Sequence, residues 1–371
     1  MNNSNKIILA NTDKTINEFS KRISHLSHKQ TSGIQANALL LTPDPNLPIS
    51  NQISKTLIHN LPDNRVLKNA YFEMFMGLDA RRALIKDDNT YCYSPKDPEF
   101  AAVSVFLSLQ KQIELYLSLG LKPPKQPMFV VINDPLELDN AYFDPERYEI
   151  HIGTGSGVKH RGLTKHIAFD LSVANHEFGH AVVSLQAPGG YLFGKLGLAM
   201  NEAIGDVLGA LVMDYLDRIW YAKQLGRSFD ASDLKNDSRI IGKYALPPFG
   251  IRKQKNSKKW PEDVVGEPHA DGLIIGGALA DLLVAIATDG AMLEEQIKLF
   301  VKMTLMALTF LPSHKVTFTD MLRALITADK EICSGKYRPV IEQCFAYHGI
   351  VLDTTKISAK NILPKNLAVA R

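Results

Sequence analysis

The sequence predicts an α+β protein in which a mixed α/β portion precedes a mainly helical one. Three observations carry this. A long helical run at 101–121, AAVSVFLSLQKQIELYLSLGL, is followed by two strand-like runs at 129–133 and 148–152. Beyond about Leu163 helical spacing dominates, interrupted by a polar stretch at 224–266. The 371 residues are 45% hydrophobic and 22% charged, a globular balance that supports a sizeable core.

Taken in order, residues 1–60 are polar, rich in Asn, Ser and Lys, and include TPDPNLPIS. They read as a loosely structured extension or short pro-segment. The opening MNNSNKIILANTDK lacks the apolar core and cleavage site of a secretory signal, so a cytoplasmic protein or one exported without such a signal is expected. Residues 61–187 form the α/β portion. Its helix at 101–121 is stopped by Gly120 and the Pro123–Pro124 pair, and its strands are joined by a turn around Asp144–Pro145. Residues 188–355 form the helical portion and 356–371 a tail. The apolar run at 273–287 is too short for a membrane span and contains Asp281.

Partner classes narrow on the same grounds. A net charge of +3 with no concentrated basic arm argues against nucleic acid, and the basic run at 252–259 reads as a solvated loop. Three cysteines, none in a CxxC pair, fit a reducing compartment, with a Cys333–Cys344 bridge left open. Nothing in the sequence specifies an oligomeric state.

The chemical signal is His176-Glu177-Phe178-Gly179-His180. Histidines at i and i+4 share a helix face and can reach one zinc ion. Ile167, Leu171, Ala174, Phe178, Ala181, Val182 and Leu185 form an apolar stripe. At about 100° per residue both histidines fall on the opposite side. Such a string arises by chance in on the order of one per cent of chains this long, so a third ligand is needed to give it weight. AMNEAIGDVLGALVMD supplies a candidate: Glu202 and Asp206 share a face flanked by Gly205 and Gly209, which let another helix approach closely. On spacing alone, a solvated helix face fits these two acids equally well. Read as a site, Glu202 completes a three-ligand set open to water, and Asp206 braces a ligating histidine from behind.

HEFGHAVV followed by AMNEAIGDVLGAL resembles the paired HExxH and NExxxD motifs of the thermolysin-like and fungalysin-like gluzincin metallopeptidases. DNAYF with YEIHIGTG, PHADGLIIGGALADLL, and FTDMLRALITADKEI with FAYHGIV extend the resemblance over roughly 126–351. It implies a two-lobe fold with the zinc site between an α/β lobe and a helical lobe. It implies one zinc per chain on His176, His180 and Glu202, with Glu177 as general base. Asp206 would brace His176 and Asn201 would brace His180. His269 and Tyr191 would stabilise the oxyanion, and Arg252 would grip the substrate carbonyl. Asn140 and Ala141 would pair with the backbone of a peptide or protein substrate. Val173 and Ile251 would line an apolar pocket for the residue after the cut.

The chain departs from that family in three respects. It shows no secretory signal or long pro-region. It has no convincing counterpart of the acidic calcium positions, which makes Ca2+ doubtful. The aspartate that orients the transition-state histidine is displaced, with Asp263 or Glu267 as substitutes. These departures leave two other readings: a non-catalytic zinc-holding binding protein, and a narrow-specificity protease effector acting on one target.

Overall fold

The computed structural model describes residues 34–41, 53–61, 66–77, 86, 90–94, 97–136, 139–155, 167–246, 249–290 and 292–352. The protein mixes helix and sheet, 55% helical and 12% strand. It forms two compact units: residues 1–111 with 124–174, and residues 112–123 with 175–371. The division falls inside the helix that carries HEFGH, upstream of the boundary at 187 expected from the sequence.

In the first unit, β1 (Ile34–Leu41) lies between β2 (Ile53–Leu61), its antiparallel neighbour, and β4 (Thr90–Tyr91), which runs parallel to it. The stretch 1–60, expected to be loosely structured, therefore contains two strands. Averaged composition hid two short strand-forming segments separated in sequence by TPDPNLPIS. The rest of that stretch, 1–33 and 42–52, and the tail 356–371 lie outside the described residues.

A second sheet runs β3 (Phe72–Met76), β5 (Met128–Asp134), β7 (Glu149–Gly153), β6 (Ala141–Asp144). Its first three strands are parallel, and β6 is the antiparallel edge. Strands β3 and β7 are buried along their whole length, including the charged or polar side chains of Glu73, Glu149 and His151. The turn foreseen at Asp144 is present: its carboxylate accepts the backbone N–H groups of Glu146 and Arg147. The short strand leading into that turn, β6, falls on DNAYF, where the family resemblance implies an edge strand. Helix α1 (Pro98–Ser118) contributes Phe100, Val103 and Phe106 to the core and gives way to Gly120 in a positive-φ conformation.

The second unit takes in α2 (Leu171–Gln186) from Asn175 onward and a long helix α3 (Lys195–Gln224), whose middle turn, Gly205–Leu211, is π-helical. The polar stretch holds a short α4 (Ala231–Asn236), started by an Asp230–Asp233 capping box, and a small hairpin of β8 (Ile240–Ile241) and β9 (Arg252–Lys253). Then come α5 (Pro268–Ala287), α6 (Leu293–Thr309), α7 (Phe318–Cys333) and α8 (Arg338–Tyr347). Helix α5 is the centre of this bundle, packed against α3, α6 and α8. Helices α3 and α5 are long and apolar enough to cross a membrane, but 78% of each apolar window is buried inside the protein. Behind α5, His348 bonds the Lys258 carbonyl at 2.7 Å and Asp281 at 3.2 Å, tying the end of α8 to the bundle. All three cysteines are free, so the Cys333–Cys344 bridge is not formed.

Candidate metal centre

Helix α2 turns its apolar side inward as its periodicity predicts: Leu171, Ala174, Phe178, Ala181 and Val182 are buried, while Leu185 is half-buried. The opposite side presents His176 and His180, whose rings meet edge to face with centroids 4.6 Å apart. Helix α3 brings Glu202 to them. One carboxylate oxygen lies 3.4 Å from His176 Nε2 and the other 3.8 Å from His180 Nε2. Ligand atoms of these three residues all lie within 4.8 Å of one another, and no other such cluster occurs among the described residues.

The approach of α3 to α2 depends on three glycines. A β-carbon on Gly179 would sit 2.6 Å from Gly205 Cα, and one on Gly205 would sit 2.6 Å from His176 Cε1. One on Gly209 would strike the Asn175 carbonyl. Only residues without side chains let the backbone pass this close. The π-turn has its own support. Tyr116 Oη donates to the Leu208 carbonyl and Gln112 Nε2 to the Gly209 carbonyl, both from the end of α1. A π-turn displaces carbonyls from the i−4 ladder, and these two side chains satisfy them in a dry environment.

Asp206 sits where a carboxylate can fix the orientation of His176, accepting from its Nδ1 at 2.8 Å. Arg252 also reaches Asp206, with Nε 2.9 Å from each oxygen and Nη2 2.8 Å from Oδ1. Nη2 is nearly equidistant, 3.2 and 3.3 Å, from the two nitrogens of His176. A guanidinium only donates, and Nδ1 gives its proton to Asp206, so this is a contact over the ring and not a hydrogen bond. The third partner of Asp206, Gln254, donates from Nε2 to Oδ2 at 2.6 Å. The sequence reading passed over Gln254. The available signal was its i+2 spacing from Arg252 at a strand, which puts both side chains on one side.

Burial and these charges set the protonation pattern. Burial and Arg252 push His176 down, but Asp206 and Glu202 prevail and carry its pKa up to about 9. Burial pushes the pKa of His180 down to about 4, helped by His176. Burial lifts Glu177 to about 7, with Glu202 adding to the rise. Burial opposes ionisation of Glu202, yet His176, His180 and His269 around it hold its carboxyl far below the usual range. Asp206 is likewise lowered against its burial, by Arg252 and His176.

The remaining candidates fall in several places. His269, at the start of α5 and 53% exposed on its side chain, points Nε2 at Glu202 Oε2 from 3.2 Å. Its Nδ1 is held 2.8 Å from Glu267, so Glu267 takes the orienting position, whereas Asp263 accepts from the Lys259 backbone. Asn201 Oδ1 and His180 Nδ1 are both buried and lack a well-formed hydrogen bond, although the Asn201 amide acts on His180 to favour its charged form. Tyr191 is 37% exposed, and its ring packs against Phe193 with centroids 5.2 Å apart. Ile251 is exposed over Gly242 and Val173 is buried. Asn140 and Ala141 belong to the first unit, where Asn140 accepts from the Gly153 N–H and Ala141 opens the edge strand β6.

The donor set suits zinc. Two imidazoles and one carboxylate converge, and Glu202 Oε2 is buried without a satisfactory hydrogen bond, as expected of an oxygen shaped to meet a cation. Searches against models of known protein families and against characterised proteins find no match for the chain.

Proposed function

We propose that this protein is a zinc-dependent metalloendopeptidase of the thermolysin-like and fungalysin-like gluzincin kind, acting on peptides or proteins. The supporting observation is the convergence of His176, His180 and Glu202 around one point, with Glu177 on the same helix. These three side chains would hold one zinc ion. When bound, zinc supplies Lewis acidity toward the scissile carbonyl and brings the pKa of a water down to about 7.

Glu177 takes the proton of the attacking water and passes it to the departing amine. Its buried carboxyl, with a pKa of about 7, suits proton exchange near neutrality. Asp206 fixes His176 through Nδ1 so that Nε2 faces the ligand cluster. Asn201, whose Oδ1 is buried without a well-formed partner, would take a proton on His180 Nδ1. Glu267 fixes the ring of His269, which then meets the charge developing on the carbonyl oxygen, with Tyr191 as a second donor. Removing one such donor costs roughly 10²–10³ in turnover. Arg252, anchored on Asp206, would grip the substrate carbonyl on the leaving-group side.

The test compares zinc-loaded wild type with Glu177→Gln on a mixed-sequence peptide library, read by mass spectrometry, with bound metal measured for both. Cleavage by wild type that disappears in Glu177→Gln, with one zinc in each, is the expected result. Equal cleavage by both overturns the base assignment. Zinc binding without cleavage in either would favour a zinc-holding binding protein.

A further inference from the structure

We infer that Gln254 is a positioning residue for the metal centre, acting on His176 through Asp206; this rests on the reading of His176 as a zinc ligand. Gln254 is completely buried and directs its amide N–H at Asp206 Oδ2 from 2.6 Å. The other oxygen of Asp206 takes His176 Nδ1, and Arg252 Nε sits between the two oxygens. Without Gln254, Arg252 alone would anchor Oδ2, and the carboxylate could swing about its bond to Cβ. With it, three groups from two segments fix the plane of the carboxylate and hold Oδ1 on the imidazole.

The cost of this arrangement shows that it is selected for orientation. Gln254 Oε1 is buried without a hydrogen-bond partner, which is unfavourable for an amide in a dry core. It lies against Gly276 of α5, where any β-carbon would collide with it. Flipping the amide would place Oε1 against the Asp206 carboxylate, so the donor end is locked toward Asp206. The backbone is held as firmly. Gln254 N–H donates to the Arg239 carbonyl at 2.8 Å. Asn256 Nδ2 joins the Gln254 carbonyl to that of Leu273 in α5. A merely space-filling residue would not leave one buried acceptor unsatisfied to direct one donor at a second-layer carboxylate.

The test uses full-length Gln254→Met and Gln254→Leu, which keep the volume and remove the donor, alone and combined with Asp206→Ala. Zinc affinity is measured by competition with a chromophoric chelator, and the His176–Asp206 imidazole proton by NMR of the metal-free protein. Gln254→Met is expected to weaken zinc binding by about 10-fold. It should add no further loss in the Asp206→Ala background, and it should speed exchange of the imidazole proton. Unchanged affinity and exchange overturn the proposal, as does an equal loss in both backgrounds. Loss of folding in both variants would assign Gln254 a structural role and also overturn it. A wild type that binds no zinc would instead refute the metallopeptidase reading, while the imidazole proton would still report whether Gln254 orients Asp206.

Discussion

A single carboxylate, Asp206, collects His176, Arg252 and Gln254, and its value lies in keeping one imidazole in one orientation. Asp206→Ala should therefore weaken zinc binding by about 10–100-fold, measured by chelator competition; unchanged affinity would reject the bracing role. A second buried histidine follows the same logic away from the site. His151 lies 2.7 Å from Asp134 and 3.1 Å from Glu149, stacked on Tyr142. Burial pushes its pKa down, but the two carboxylates outweigh burial and leave it raised. The folded state thus favours the charged ring. Its contribution to stability is complete below the unfolded value of about 6.5 and is lost as pH rises through the folded one. Thermal melts of the wild type should show stability falling with rising pH above about 6.5. His151→Gln should be less stable and flatter over the same range, and an unaltered slope would place the titrating group elsewhere. In sequence His151 shows no pairing that calls for a ligand role. Glu149 shares its face two residues away, but Asp134 arrives from the neighbouring strand, and strand pairing is not written in local spacing.

At the scale of elements, the apolar stripe of α2 and the acid pair of α3 were legible because helical periodicity fixes which side chains share a face. Two features of α3 were not. Its π-turn has no local signature, and the groups that satisfy it, Gln112 and Tyr116, come from a helix remote in sequence. The glycines were noticed as permitting close approach, and the structure shows what approaches: Gly205 faces the His176 ring and Gly209 the Asn175 carbonyl. Gly205→Ala should push the imidazole out of place, at a cost of about 1–3 kcal/mol for overpacking, with zinc affinity falling alongside stability. Retained affinity would show that the ring has room to give. Tyr116→Phe removes the buried hydrogen bond to the Leu208 carbonyl at a cost of about 0.5–1.5 kcal/mol. Denaturant titration would measure it, and a negligible change would mean that the π-turn stands without this support.

For the whole molecule, the order of a mixed α/β portion before a mainly helical one was readable because each long segment carries its own period. The division between compact units was not, since it runs through α2, a helix with one uninterrupted periodicity. The helical unit buries its core around α5 by apolar contacts, among them Ile275, Leu279, Leu283, Phe300 and Leu325. None of these depends on a metal. The metal-free centre is also electrically settled, because a protonated His176 lies between the carboxylates of Asp206 and Glu202. Chelation should therefore lower the melting temperature without abolishing the fold. Zinc at a thousandfold excess over its dissociation constant adds about 4 kcal/mol. For a unit of this size that is roughly 8–16 °C in melting temperature. Calorimetry with and without excess chelator measures the shift, and far-UV circular dichroism at 25 °C tests whether the helices persist. A drop in melting temperature with helicity intact is the signature of a metal added to a finished fold. Collapse of the helices on chelation would make the ion a structural element, and an unchanged melting curve would mean that the cluster holds no zinc.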